Sequence, residues 1–241
     1  METNNYNNEG FTLFLGMAFA LLLINLVGFG PTFFFTPLTE PNPKLDTTRI
    51  IHGFTFSAWY LLFCAQAIAA KSLSFRAHRT MGFIGLFLAI AIVINGSIMT
   101  AHFANEFTPT DEVGPLILQA SGVWANFHLV LSFAAFIVLG MAFRKQLQLH
   151  KRFVLLATIA MMTAATSRIA AFDGQPIHEG AFTFLCLLVL LLTPICYELV
   201  QYRKVHPVYL WGSAAYFVSL ILFAAVIPMT AFGQSAVFWF Q

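Results

Sequence analysis

Four of the seven histidines of this chain recur in a pattern that could carry chemistry. His52 and His128 open two apolar stretches, and His78 and His150 open the stretches that follow. The second pair stands among basic residues: Arg76 and Arg79 around His78, and Arg144, Lys151 and Arg152 around His150. A neutral imidazole can ligate a metal, relay a proton or hydrogen-bond a neighbouring helix. Arg168, in TSRIAAFDG, is a cation inside an apolar run. Such a group must find an anionic partner or reach for the interface, and bidentate contact with an anion would satisfy it. A weaker cluster combines His102 with Glu106, four residues on, and His178 beside Glu179. Histidines and carboxylates of this kind bind zinc, iron or copper. Neither HxxxH nor HExxH occurs, so hydrolase and desaturase signatures are missing and no catalytic residue can be named.

The elements that must position these groups are membrane helices. Of 241 residues, 59% are hydrophobic and only 9% charged, with 28 Phe and a mean hydropathy of +0.79. A water-facing surface cannot be built from so few ionic groups. The net charge of +2 and its scatter among short turns exclude a nucleic-acid binder. Cys64, Cys186 and Cys196 lie in apolar runs without CxxC spacing, which predicts free thiols acting as small buried hydrophobes. The first residues, METNNYNNEG, lack the basic start of a secretory signal, so the first apolar run is expected to be retained.

Seven segments reach the roughly 20 apolar residues that a span needs: 11–30, 50–70, 80–101, 118–142, 153–172, 181–201 and 208–232. Their continuous apolarity predicts helices, not barrel strands. The fold expected is an all-α polytopic membrane bundle in one domain, with helices 2–5 forming a two-helix repeat. Segment one should stop at Gly28, Gly30 and Pro31, since the prolines that follow (Pro31, Pro37, Pro41, Pro43) exclude helix. Apart from Pro194 and Pro228, nothing marks a broken helix, which argues against a transporter. Nine of the twelve Lys and Arg fall in alternate connections: Lys71, Arg76 and Arg79; Arg144, Lys145, Lys151 and Arg152; Arg203 and Lys204. The positive-inside rule puts those connections in the cytoplasm, with the N-terminus inside and the C-terminus outside. His52, His102, Glu106, His128, Arg168, Asp173 and His178 then lie toward the outer side, and His78, His150, Glu198 and His206 toward the inner.

The histidine layout is similar in outline to the two-haem transmembrane cytochromes b. That likeness implies haem b held by His52 with His128 near one face, and by His78 with His150 near the other. Gly53, Gly82 and Gly122 would admit the macrocycle, and Arg168 would meet a propionate. The spacings, 26 residues from His52 to His78 and 22 from His128 to His150, differ from that family's.

A second set of motifs covers most of the chain: GFGPTFFF after the first segment, then HGxxFxxWxxLFxxQ from His52 to Gln66. HRxxG at His78, HKRFVLLAT at His150 and HPVYLWG at His206 complete it. The set resembles a family of bacterial seven-helix integral membrane proteins of uncharacterised activity, which implies a multi-pass protein of the cell inner membrane. Three classes remain: a haem-b or quinone-linked redox protein, a metal-dependent enzyme on an apolar substrate, and a non-catalytic binding protein or accessory subunit of a membrane complex. In all three the lipid bilayer is the first partner.

Overall fold

The computed structural model describes residues 5–36, 45–72, 74–107, 112–172 and 178–240. The chain is helical along almost all of that length, with no strand among the described residues. Seven stretches are long and apolar enough to cross a membrane: Thr12–Phe34, Thr47–Lys71, Phe75–Ala104, Val113–Ala142, Leu147–Ala170, Glu179–Tyr202 and Pro207–Met229. Each overlaps one expected segment, so the protein is an all-α, multi-pass membrane protein.

The helices are α1 (Asn5–Phe29), α2 (Thr47–Lys71), α3 (Phe75–Ala104), α4 (Val113–Ala142), α5 (Leu147–Ala160) and α6 (Thr163–Ala170), then α7 (Glu179–Tyr202), α8 (Pro207–Ile221) and α9 (Ala231–Ala236). Four spans depart from expectation in their bounds or their regularity. The first span does not stop at Pro31 but continues as a π turn over Gly30–Phe34, closed by Phe35 N–H to Gly30 O at 2.8 Å. Proline is tolerated there because it stands in the first positions of the new turn, where its missing N–H has least to do. The fourth span begins at Val113, with Pro115 again in a first turn. The fifth is two helices meeting at Met161 and Met162. Thr166 Oγ1 donates to the carbonyls of Met162 and Thr163 at 3.0 and 3.1 Å, the back-bonding that bends helices. The seventh span also loses α geometry, passing through a π turn at Leu222–Val226 and a 3₁₀ turn at Ile227–Met229 that holds Pro228. Pro194, by contrast, sits inside α7 without ending it. The Pro-rich residues 37–44 lie outside the described residues.

The chain divides into two compact units, Met1–Ala91 with Met161–His206, and Ile92–Ala160 with Pro207–Gln241. In the first, α1 packs on α2 and α6, and α6 on α7. Its interior holds Ala18, Leu21, Tyr60, Leu187 and Leu191, and among its buried polar side chains is Asn25, at 2% exposure. Lipid tails are as apolar as leucine, so helices associate in a bilayer through close packing of small residues and hydrogen bonds. Gly28 shows the first of these. A Cβ there would stand 2.5 Å from the Ala165 carbonyl oxygen, so only glycine lets α1 and α6 approach this closely.

In the second unit α4 packs chiefly on α5, and both contact α8. Phe133, Leu155, Leu156, Ile159 and Tyr209 form its interior. Past the seventh span the chain turns back. Thr230 caps α9, and Val237, with 1% exposure, joins Ala104, Ala120 and Val123 in a cluster. Trp124 Nε1–H anchors the returning segment by donating to Gly233 O at 2.8 Å. Along α3, Phe83, Phe87, Ile90, Ile94 and Ile98 face outward at helical spacing, the stripe that acyl chains cover.

Candidate functional site

The four patterned histidines occupy four different environments. His52, five residues past the start of α2, is partly buried with its ring 4.1 Å from that of Phe56. His78 and His150 each stand three residues inside a helix, α3 and α5. His150 Nδ1–H donates to the Gly140 carbonyl at 2.8 Å, tying the start of α5 to the end of α4. His128 differs most from expectation. With α4 beginning at Val113, it lies in the middle of that span and does not open it, about 22 Å from the first residue. His52 and His78 belong to the first unit, and His128 and His150 to the second.

His128 is 1% exposed. Its Nε2 lies 2.9 Å from Ser219 Oγ on α8 and 3.0 Å from Ser132 Oγ, one turn on in α4. Ser219 Oγ also lies 2.7 and 3.0 Å from the carbonyls of Ala215 and Tyr216, so α4 and α8 meet through one polar contact at His128. Haem ligation through Nε2 would forfeit both serine contacts. Two of the three glycines expected to admit a macrocycle are also filled from within. The Phe33 ring occupies the space a side chain at Gly53 would need, Phe103 crowds Gly122 at 3.0 Å, and Gln66 faces Gly82 at 3.7 Å. The space at Gly53 and Gly122 is thus taken by aromatic side chains of the chain itself.

The residues of the metal alternative are engaged within their own segments. His102 Nε2 lies 3.7 Å from Glu106 Oε1 down its own helix, and His178 turns back to cap α7, its Nδ1 accepting Gly180 N–H at 3.2 Å. Among the described residues no three His, Cys, Asp or Glu side chains converge to hold a metal ion. All three cysteines are free, and Cys196 is exposed where a buried position was expected. Asp173 lies outside the described residues.

Arg168 is a cation most of whose donors are left unanswered among the described residues. It sits on α6, two residues before that helix ends, with its guanidinium carbon 4.3 Å from the centre of the Phe29 ring. Nη1 donates to Ala164 O at 3.1 Å. A guanidinium carries five N–H donors in a planar fork, and among the described residues no carboxylate answers the rest. Three local features hold it there. Gly28 lets α6 settle on α1, Phe29 presents its ring as the last residue of α1, and the π turn at Gly30–Phe34 redirects the chain immediately beyond. One turn earlier on α1, buried Asn25 meets Ser57 of α2, with Oδ1 and Oγ 3.5 Å apart. An aromatic ring below, a charged fork and an amide with a hydroxyl nearby form a constellation suited to an anion.

No family model matches the chain, no curated protein matches it in sequence, and no solved structure matches its fold.

Sequence reasoning found Arg168 but missed Asn25, Ser132, Ser219 and Arg152. Arg152, placed among solvated basic residues by its neighbours in HKR, is 7% exposed. It donates to Gln148 Oε1 at 2.6 Å and to Gln148 O at 2.7 Å, and lies 5.4 Å over the Tyr209 ring. Glu198 is 4% exposed and accepts the backbone N–H of His206 at 2.7 Å. It thereby braces a turn whose Arg203 has a positive φ of 54°. Asn25 and Ser132 had available signals: a lone amide in LLLINLVG, and a hydroxyl one helical turn after a histidine.

Proposed function

We propose that this chain is a multi-pass protein of the bacterial inner membrane that binds an amphipathic anion, with the anionic head on Arg168 and the apolar body along the spans. The observation that carries this reading is the Arg168 guanidinium inside the fifth span, stacked on Phe29 and donating one hydrogen bond to a backbone carbonyl. An ionisable group within a span is a functional position by default, because it is costly to place there without a partner. A carboxylate or phosphate monoanion would take two parallel N–H···O bonds from the fork. Under the positive-inside orientation Arg168 lies near the outer face, where a lipid headgroup and a free amphiphile both have access.

The test uses the full chain in nanodiscs of zwitterionic lipid. Oleate and phosphatidic acid are added in separate arms, with methyl oleate as the uncharged control. Saturable stabilisation by one anion is expected, about 2.7 kcal/mol at a hundred times Kd. Arg168→Gln should abolish it and Arg168→Lys should keep part, since lysine is a point charge without the fork. Oleate active alone identifies a free amphiphile, and phosphatidic acid active alone a headgroup. Equal stabilisation of parent and Arg168→Gln, or by methyl oleate, would overturn the reading.

A second reading, a haem-b-type electron carrier, keeps one supporting observation. His150 holds its Nδ1–H on a backbone carbonyl, the second contact by which ligating histidines are commonly oriented. Oxidised and reduced absorption spectra of the purified protein test it, and a colourless protein ends it.

A further inference from the structure

We infer that α3 carries a docking strip for an anionic phospholipid, with the phosphate on Arg76 and Arg79 and an acyl chain along Phe83, Phe87 and Ile90. Three observations support it, all within the first unit. The first is which side of the helix the chain covers. Gly85 and Ala89 are buried, and Gly85 meets α2 so closely that an added Cβ would stand 3.3 Å from Leu62. Small residues thus turn toward α2. Phe83, Phe87 and Ile90 lie on the opposite side and are exposed, Phe87 at 72%.

The second observation is what stands at the end of that face. Successive residues of an α-helix turn by about 100°, which puts Arg76 and Arg79 on the same side as Phe83, Phe87 and Ile90. Both arginines are exposed in the first turns of the span, and Lys71 is exposed at the end of α2. Among the described residues, none of these three side chains makes an ion pair or a hydrogen bond. Two carboxylates of this unit, Asp46 and Glu198, are held instead by Arg49 and by the backbone N–H of His206. The third observation is reach. From Arg79 to Ile90 the helix rises about 16 Å, which matches one leaflet of the hydrocarbon core, about 15 Å deep.

Charge decides between the occupants that such a face could take. Copies of a membrane protein share one orientation in the bilayer. A symmetric contact through this strip would therefore set Arg76 and Arg79 against their own counterparts. Residues 71–90 hold no carboxylate to relieve that repulsion. A phospholipid of the adjacent leaflet brings a phosphate to the guanidinium forks, which favour bidentate contact, and lays its chain over the rings. Under the positive-inside orientation that leaflet is the cytoplasmic one, whose anionic lipids attract basic segments at this position. The strip lies on one helix and exists whether or not the bundle is assembled. Its lipid binds folded and unfolded chains alike, and adds nothing to the stabilisation that reads the Arg168 site.

The experiment uses the full chain in phosphatidylcholine nanodiscs doped with phosphatidylglycerol that carries a diazirine midway along one acyl chain. Illumination should give saturable labelling of the peptide that holds Phe83, Phe87 and Ile90. Arg76→Gln combined with Arg79→Gln should weaken the apparent affinity about thirtyfold, at about fivefold for each cation removed. Arg76→Lys with Arg79→Lys should retain most of it, since the charge stays. Arg168→Gln should leave the labelling unchanged, which separates this strip from that site. A phosphatidylcholine probe with the same chains that labels equally well would overturn the proposal. So would undiminished labelling of the double Gln variant, or loss of labelling in Arg168→Gln. Crosslinks that join two copies of the chain through this peptide would overturn it too, and would assign the strip to a second copy.

Discussion

Arg152 and Arg168 are the same residue in two settings. Each lies within a membrane span, and each stacks its guanidinium over one aromatic ring, Tyr209 for Arg152 and Phe29 for Arg168. Their donors go to different places. Arg152 bonds twice to Gln148, one turn earlier, and is closed over at 7% exposure. Arg168 makes a single bond to a backbone carbonyl, on a helix reached through a glycine contact. A cation provided with an amide partner on its own helix is part of the packing. A cation whose neighbours supply a ring and one carbonyl is prepared for something that arrives later. The comparison shows that burial and stacking alone do not mark a site, whereas the number of donors left for a ligand does.

The comparison can be broken or sharpened by substitution, and the largest effect is expected at the support, not at the charge. Gly28→Val puts side-chain atoms against the Ala165 carbonyl and should cost about 3 kcal/mol or more, as overpacking against rigid backbone does. Thermal unfolding in detergent would measure it, and loss of anion binding should accompany it. A fully stable Gly28→Val protein would show that α1 and α6 do not need this approach. Next comes Arg152→Met, which strands the Gln148 amide and uncovers Tyr209. About 1–3 kcal/mol of stability should be lost with anion affinity unchanged. The same measurements on Arg168→Gln should give the reverse, little change in stability and no binding. If the two arginines behave alike, the distinction fails. Phe29→Leu removes the ring beneath Arg168 and should cost about 0.5–1 kcal/mol. That cost should appear equally in the absence of ligand. The smallest effect is expected at Glu198→Gln, below about 0.5 kcal/mol, because the amide oxygen still accepts His206 N–H. A large loss there, read by the same thermal scan, would assign Glu198 a charge-dependent role that its bond to His206 does not reveal.

The seven spans were legible in the sequence because bilayer thickness imposes a length and an apolarity that no side-chain detail can disguise. Span ends were less so. Pro31 read as a stop, yet it falls in the first positions of a new turn, where its missing N–H costs least. His128 already stood ten residues inside the expected fourth segment, and the start of α4 at Val113 sets it deeper still. Arg168 was legible because a lone cation in an apolar run is conspicuous. Arg152 was not, because HKR reads as a solvated turn until Tyr209 is seen to cover it, and that contact joins residues far apart in the chain. Asn25, Ser132 and Ser219 are common residue types. Their significance lies in which neighbours they meet, and periodicity does not encode that.

The bond from Trp124 to the Gly233 carbonyl has a consequence for biogenesis. The two residues are 109 positions apart, so Trp124 enters the bilayer long before its acceptor has been synthesised. Throughout that interval the indole N–H lacks this acceptor, and on the same face Ala120 and Val123 have Ala104 and Phe103 of the preceding span beside them but not yet Val237. The fourth span should therefore reach its final depth and rotation only when the seventh has been threaded and turned back. Quality-control proteases that survey unsettled helices would have this face in view until then.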